Sequence, residues 1–287
     1  MTNLTERQIA RNRQTRDQPS FASHREHVMQ LISATANALR SGHSQHQSVK
    51  QLPTITVLGA GNCQDLDLPL LTSAFREVRL LDIDADAVQA AVSQLSPDVT
   101  SRIQILAPID IATPLMSMVG REFGNRGPDS KFLEAIESVC FSEEIDVSDV
   151  VVSTCLVSQL IDSAAHIVPP ELPDFLPLIQ AIRRGHLARM LCLTNAAGRA
   201  LLITDLVSSD TVPDLKTISL TDLPKLLFQC LQSRDFFSGL NPAVVEQDLQ
   251  HTPALMELCS ASRILPPWLW TLGPRCFAVY GVEMLRS

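Results

Sequence analysis

Ile55-Thr-Val-Leu-Gly-Ala-Gly-Asn-Cys-Gln-Asp65 is the stretch on which the fold turns. Its first four residues are aliphatic or β-branched and run straight into Gly59-Ala60-Gly61, the pattern of a strand buried on both faces that ends in a loop bare of side chains. A ligand can lie against such a backbone, and the N-terminus of the following helix would add free N–H groups. About twenty residues on, a second aliphatic run, Val78-Arg-Leu-Leu81, ends in Asp82-Ile83-Asp84. A carboxylate there faces the first loop across the crevice between parallel strands and can accept hydrogen bonds from two ribose hydroxyls. Gly59, Gly61 and Asp82 together predict a nucleoside site.

The same texture continues outward. Short aliphatic runs at Ile103–Leu106, Val150–Val152 and Ala200–Ile203 alternate with helical stretches at Pro69–Phe75, Ala85–Leu95, Lys131–Cys140 and Asp174–Leu193. This rhythm implies right-handed crossovers and a doubly wound α/β sheet. The tail differs: after a helical Pro242–Gln250, Leu258–Ile264 and Cys276–Val282 read as two strands set apart by Pro266-Pro267-Trp268 and Gly273-Pro274. Two strands without a crossover helix predict an antiparallel hairpin at a sheet edge, where prolines are tolerated. The expected architecture is a seven-stranded, mostly parallel sheet with a C-terminal antiparallel hairpin, spanning residues 51–287. Residues 1–50 are expected to be an extension: an unstructured Thr2–Ser20, an amphipathic helix carried by Val28, Leu31, Ile32, Thr35 and Leu39, and a hydrophilic linker over Ser41–Lys50.

The 287 residues include 45% apolar side chains, enough to bury a core, and the net charge is −8. Residues 1–50 carry +4 and the remainder −12. A body that acidic repels phosphate backbones, which argues against nucleic acid as a partner. The seven cysteines are scattered with no C-x-x-C pair, and neither His24/His27 nor His43/His46 has ligands nearby to complete a shell. That pattern suits reduced thiols, and no metal site or disulfide framework is expected. No apolar run approaches the roughly 18 residues of a membrane span, and the first ten residues are too polar for a signal peptide, so the expected location is cytoplasmic.

The ligand class narrows by absences. A dinucleotide fingerprint wants a third glycine where Gln64 stands, and no Gly-Lys-Ser/Thr of a P-loop follows. At this point residues 53–285 resemble the class I S-adenosylmethionine-dependent methyltransferases. The family's Gly-x-Gly-x-Gly is matched by Gly59-Ala60-Gly61-Asn62-Cys63, its ribose-binding acid by Asp82, and its adenine neighbours by Ile83 and by Ile109-Asp110 after the third strand. Its Asp-x-Val-x-Ser-Asn-x-Val-Leu is matched by Asp149-Val-Val-Val-Ser-Thr-Cys-Leu-Val157, which gives Ser153, Thr154 and Cys155 a place beside cofactor and substrate. Leu193-Thr-Asn-Ala-Ala-Gly198 takes the place of the family's turn before the fifth strand. Cys63 replaces the third glycine, and Val57 stands where an acid often precedes the first.

The resemblance implies S-adenosyl-L-methionine as cofactor and methyl transfer as the reaction. Ser-Thr-Cys-Leu replaces the Asn/Asp-Pro-Pro-Tyr of amino-group methylases, and Cys155 lacks the proline that precedes the nucleophile of carbon-5 pyrimidine methylases, which leaves a small molecule or a protein as acceptor. Gln159, His166 and Asp162, just beyond the fourth strand, are the nearest substrate-side residues, with Phe236 in Phe236-Phe-Ser-Gly-Leu-Asn-Pro242 as a further candidate. No catalytic base is assigned, and Trp268 and Trp270 read as hairpin core or edge cover. Two other classes compete: a catalytically silent scaffold acting through its terminal arm, and a nicotinamide-dependent oxidoreductase, which Gln64 and the terminal hairpin disfavour.

Overall fold

The computed structural model describes residues 6, 9–10, 21–42, 52–111, 127–138 and 145–287. Most of the expected unstructured leader and of the linker, with His43 and His46, lie outside them, as does Cys140. In chain order the elements are α1 (Ala22–Gly42), β1 (Thr54–Leu58), α2 (Leu68–Ala74), β2 (Glu77–Leu81), α3 (Ala85–Val92), α4 (Pro97–Thr100), β3 (Ile103–Leu106), α5 (Ser130–Glu137), β4 (Ser148–Thr154), α6 (Leu156–Ile167), α7 (Phe175–Cys192), β5 (Thr194–Ser208), α8 (Leu223–Ser233), α9 (Pro242–His251), α10 (Pro253–Leu258), β6 (Cys259–Leu272) and β7 (Arg275–Arg286).

One seven-stranded sheet has the order β3-β2-β1-β4-β5-β7-β6. β1 pairs in parallel with β2 (Ile55 opposite Val78) and with β4 (Ile55 opposite Val150), so the winding reverses beside β1. In open α/β sheets that reversal is where the carboxyl ends of the strands leave a crevice for a ligand. β7 is antiparallel to both β5 and β6.

Alternation along the central strands splits the core. Val151, Ala200, Leu202, Tyr280 and Val282 face α6 and α7, while Ile55, Val57, Val150, Val152, Leu201 and Val279 face α1, α2 and α3. Val28, Met29, Ile32, Ala36 and Leu39 of α1 are buried in the second layer, so this helix shares the core of the sheet. At its ends Arg25 Nε donates to the Gln64 carbonyl at 2.7 Å and an Arg40 N–H donates to the Ala74 carbonyl at 2.6 Å.

Three local expectations are corrected. β6 runs through Pro266-Pro267-Trp268 as a bulge between Leu265 and Trp268; it is the outermost strand, where a missing N–H costs no ladder bond. The turn expected before the fifth strand is absorbed into β5, whose residues 195–198 bulge out between Thr194 opposite Ser148 and Arg199 opposite Val150. α2 begins at Leu68, well past Gly61, and Asp67 already accepts from its Leu70 N–H, so no bare helix terminus abuts the glycine loop. Among the described residues no helix is long and apolar enough to cross a membrane, and no group of three or more His, Cys, Asp or Glu is arranged to hold a metal ion.

Candidate functional site

The loop after β1 folds back over the end of β2. Gly59 and Ala60 donate their N–H groups to the Leu81 carbonyl (2.9 and 3.1 Å), and the Gly61 N–H donates to Asp82 Oδ2 at 2.7 Å. Gly59 and Gly61 take left-handed φ of +74° and +47°, which explains glycine at both. Cys63 adopts φ +55° as well, so the backbone at the place of a third glycine is glycine-like although the residue is not.

Asp82 is nearly buried, and its second oxygen accepts from the Asp84 N–H at 2.8 Å. Burial pushes its pKa upward, against the pull of these backbone donors and of the Ile83 N–H. The Ile109 N–H donates to the Asp82 carbonyl at 2.9 Å, which brings the segment after β3 alongside. Asp82, Ile83, Ile109 and Asp110 thus gather at the ends of β2 and β3.

A cavity of about 640 Å³ lies against the glycine loop, within the usual range of a small-molecule site; Asp82, Ile83, Ile109 and Asp110 do not line it. Gly59, Ala60, Gly61 and Asn62 line it from β1, and Thr154 and Cys155 line it from β4. Of the substrate-side candidates, Gln159 and Asp162 line the cavity. His166 sits on the half-exposed face of α6 beside Asp162, and Phe236 packs against the core while its neighbour Phe237 reaches the cavity. Ser153 is turned away: its hydroxyl is buried 2.8 Å from Nε2 of His186 on α7, a ring that burial holds neutral down to about pH 3.

Sequence reasoning passed over two acids that line the cavity, Asp65 and Asp205. Burial first, then the charge of Asp205, raises the pKa of Asp65 to about 7, against the Thr154 hydroxyl and the Arg25 guanidinium. Asp205 is pushed up by burial and held back by the Cys155 thiol, by Ser158 Oγ donating at 3.1 Å, and by Arg275. The Cys155 thiol, buried beside both acids, is raised well above its ordinary value and stays protonated. The reasoning that singled out Asp82, an acid at the carboxyl end of a core strand, applied to Ile203-Thr204-Asp205, would have found Asp205.

Phe21, the residue before α1, brings the start of that helix to the cavity. Phe21 and Trp270 both line it, 5.2 Å apart between ring centroids, and Trp270 stacks on His24 at 4.4 Å. Trp270 therefore serves both the hairpin core and the cavity wall, whereas Trp268 packs on His27 at 4.7 Å.

No protein-family model and no curated protein matches the chain. Among solved structures it overlaps the YcgJ protein from Bacillus subtilis at 12% identity and TM-score 0.44, covering 91% of this chain and 98% of that one. It overlaps the plantazolicin methyltransferase BpumL in complex with SAH at 12% identity and TM-score 0.45, covering 99% and 95% of the two chains. For the DszA carbon methyltransferase the values are 16% and 0.41, over 91% of this chain and 54% of that one.

Proposed function

We propose that the chain is a class I S-adenosylmethionine-dependent methyltransferase acting on a small-molecule acceptor. One observation carries the reading: the Gly61 N–H is bonded to Asp82 at the point where the strand order reverses, next to a cavity lined by the same loop. A side-chain-free loop at that place suits the methionine end of the cofactor, which Gly59–Asn62 would hold with Thr154 and Cys155. Ile83 and Ile109 would flank the adenine, and Asp110 would face its amino group.

Asp82 would meet a ribose with reduced capacity. Backbone N–H groups of Gly61, Ile83 and Asp84 already engage its carboxylate. Of its roughly four lone-pair sites, that leaves capacity for one strong donor, not the two expected from the sequence.

When bound, the cofactor supplies a methyl group already activated by its sulfonium. The chain has then to hold the acceptor in line with that methyl, keep water out, and take a proton where the acceptor carries one. Phe21, Trp270 and Phe277 would exclude water. Burial and the neighbouring acids hold Cys155 as a thiol, which disfavours it as a nucleophile.

Calorimetric titration with S-adenosylhomocysteine tests the reading. Binding at micromolar concentration is expected, and Asp82→Ala should weaken it by about 1–3 kcal/mol through the lost charged acceptor. Absence of binding below 1 millimolar (roughly the −4 kcal/mol level) in folded protein would overturn it.

A further inference from the structure

The acidity of the cavity has no part in holding the cofactor as described above. Asp65, Asp162 and Asp205 line it, and the one cation among the described lining residues, Arg275, offsets Asp205 only in part: its Nε bonds Asp210 at 2.6 Å and its guanidinium lies over the Phe277 ring at 4.8 Å. Asp65 keeps 20% of its side chain exposed, yet its Oδ1 is shielded from solvent and accepts no hydrogen bond. The same holds for Gln64 Oε1, Gln159 Oε1 and Asp205 Oδ1, so four acceptors on described lining residues of one cavity have no donor from the protein. A second, independent feature is Trp270, only 7% exposed and walling the same cavity, whose Nε1–H has no acceptor. Buried polar atoms left without partners are rare in folded proteins and call for an explanation.

A ligand rich in N–H donors and carrying positive charge answers the unpaired acceptors; the Trp270 Nε1–H is itself a donor and needs an acceptor group, so it marks the wall as a ligand surface without selecting a cation. Such a ligand would supply the missing donors, relieve the repulsion between two neighbouring carboxylates in a poorly hydrated space, and lay its body against the rings of Phe21, Trp270 and Phe277. An anion or a neutral apolar molecule would leave both acids as they are.

We propose that the methyl acceptor is an organic amine whose ammonium is anchored by Asp65 and Asp205. The chemical step rests on the methyltransferase reading; the binding does not. The ammonium hands one proton to a carboxylate oxygen of Asp65, leaving a neutral amine and a carboxylic acid. The nitrogen lone pair then forms the N–C bond to the methyl as the C–S bond breaks, and the electron pair of that bond stays on the sulfur. The products are a methylated ammonium and a neutral thioether.

The test is calorimetry with 2-phenylethylamine and spermidine, against 3-phenylpropanoate and 2-phenylethanol as anionic and neutral counterparts of the first, with and without saturating S-adenosylhomocysteine. At least one amine is expected to bind in both conditions, with the counterparts roughly tenfold weaker or worse. Asp205→Asn should weaken the amine by a similar factor, and Asp205→Glu should recover part of the loss. Equal binding of the acid or alcohol, no binding by either amine, or displacement of the amine by S-adenosylhomocysteine would overturn the proposal; displacement would assign the acids to the cofactor's own amino group. Retained amine selectivity in a protein that ignores S-adenosylhomocysteine would sink the methyltransferase reading and leave the anchor standing.

Discussion

Nε2 of His24 lies 3.7 Å from Oδ1 of Asp65. Trp268 Nε1–H donates to the other ring nitrogen of His24 at 3.1 Å, which makes Nδ1 the acceptor and leaves the proton of the neutral ring on Nε2, toward the acid. Three segments far apart in sequence meet here: α1, the glycine loop and β6. The helix expected as an appendage is keyed into the wall of the candidate site, because its His24 ring is stacked on Trp270 and bonded by Trp268.

The stability of the fold should therefore depend on acid in a way that His24 can be shown to cause. Burial, reinforced by His27, lowers its pKa to about 3, against about 6.5 in an unfolded chain. A depressed histidine contributes stability that is fully present above about pH 6.5 and is lost as pH falls toward 3. Asp65, raised to about 7 and facing His24, Arg25 and Asp205, works the other way and costs stability as pH rises from about 4 to 7. Denaturant melts between pH 6 and 4 should show His24→Phe losing one proton's worth of slope against the parent, about 1.4 kcal/mol per pH unit. Asp65→Asn should steepen the slope; unchanged slopes in both variants would contradict the geometry.

Arg183 and Asp248 fasten α7 to α9 as a buried ion pair, 1% and 4% exposed, with contacts of 2.7 and 2.6 Å. Arg184 also donates to Asp248, at 2.9 Å. Asp248→Ala would leave the buried Arg183 guanidinium without its counter-charge, with the Gly239 carbonyl as its remaining acceptor at 2.8 Å, and should cost about 3–5 kcal/mol in a denaturant titration. Replacing both partners, Arg183→Met with Asp248→Leu, should cost much less than the single change, since no unpaired charge is then left inside.

Much of this fold is legible in the sequence because a parallel sheet writes its strands as bare aliphatic runs: Ile103–Leu106 coincides with β3, β1 and β2 each begin one residue before their runs, and β4 adds two residues at each end of its run. The first β-loop-β unit was readable for the same reason, down to the loop glycines and the acid at the end of β2. The misses have local causes. α6 lies hidden behind the motif reading of Ser153–Val157, although Leu156, Val157, Leu160, Ile161 and Ala164 keep helical spacing. β5 is much longer than its aliphatic core, since its far half pairs with β7 and is fixed by that partner. The cavity wall was least legible: Phe21, Asp65, Asp205 and Trp270 come from four separate segments, and their meeting depends on the docking of α1 across the sheet.

Cys155 stands where a reader could place a nucleophile, and its chemistry separates the two readings. It caps α6, a place that by itself favours a thiolate, but its burial and the near charges of Asp205 and Asp65 outweigh this and raise the thiol well above its ordinary value. Native protein treated with iodoacetamide at pH 8 should leave Cys155 unmodified, as read by mass spectrometry of its peptide, while the unfolded protein labels fully. Labelling of Cys155 at the rate of a free thiol would bring covalent catalysis back into consideration.

Cys63 tests whether the left-handed turn at the third position of the glycine loop is a cost the chain carries. A non-glycine residue at φ +55° is disfavoured by roughly 1 kcal/mol, while the buried Cys63 side chain returns about as much through apolar contact. Cys63→Gly should therefore move the unfolding free energy by less than about 1 kcal/mol in either direction, because gain and loss offset. Cys63→Val keeps the apolar contact but adds a second branch at Cβ, for which left-handed φ is a genuine outlier, and should cost about 2 kcal/mol or more. If valine is accepted as well as glycine, the backbone at Cys63 is not held left-handed, and the match of this loop to a glycine-rich cofactor loop loses its third position.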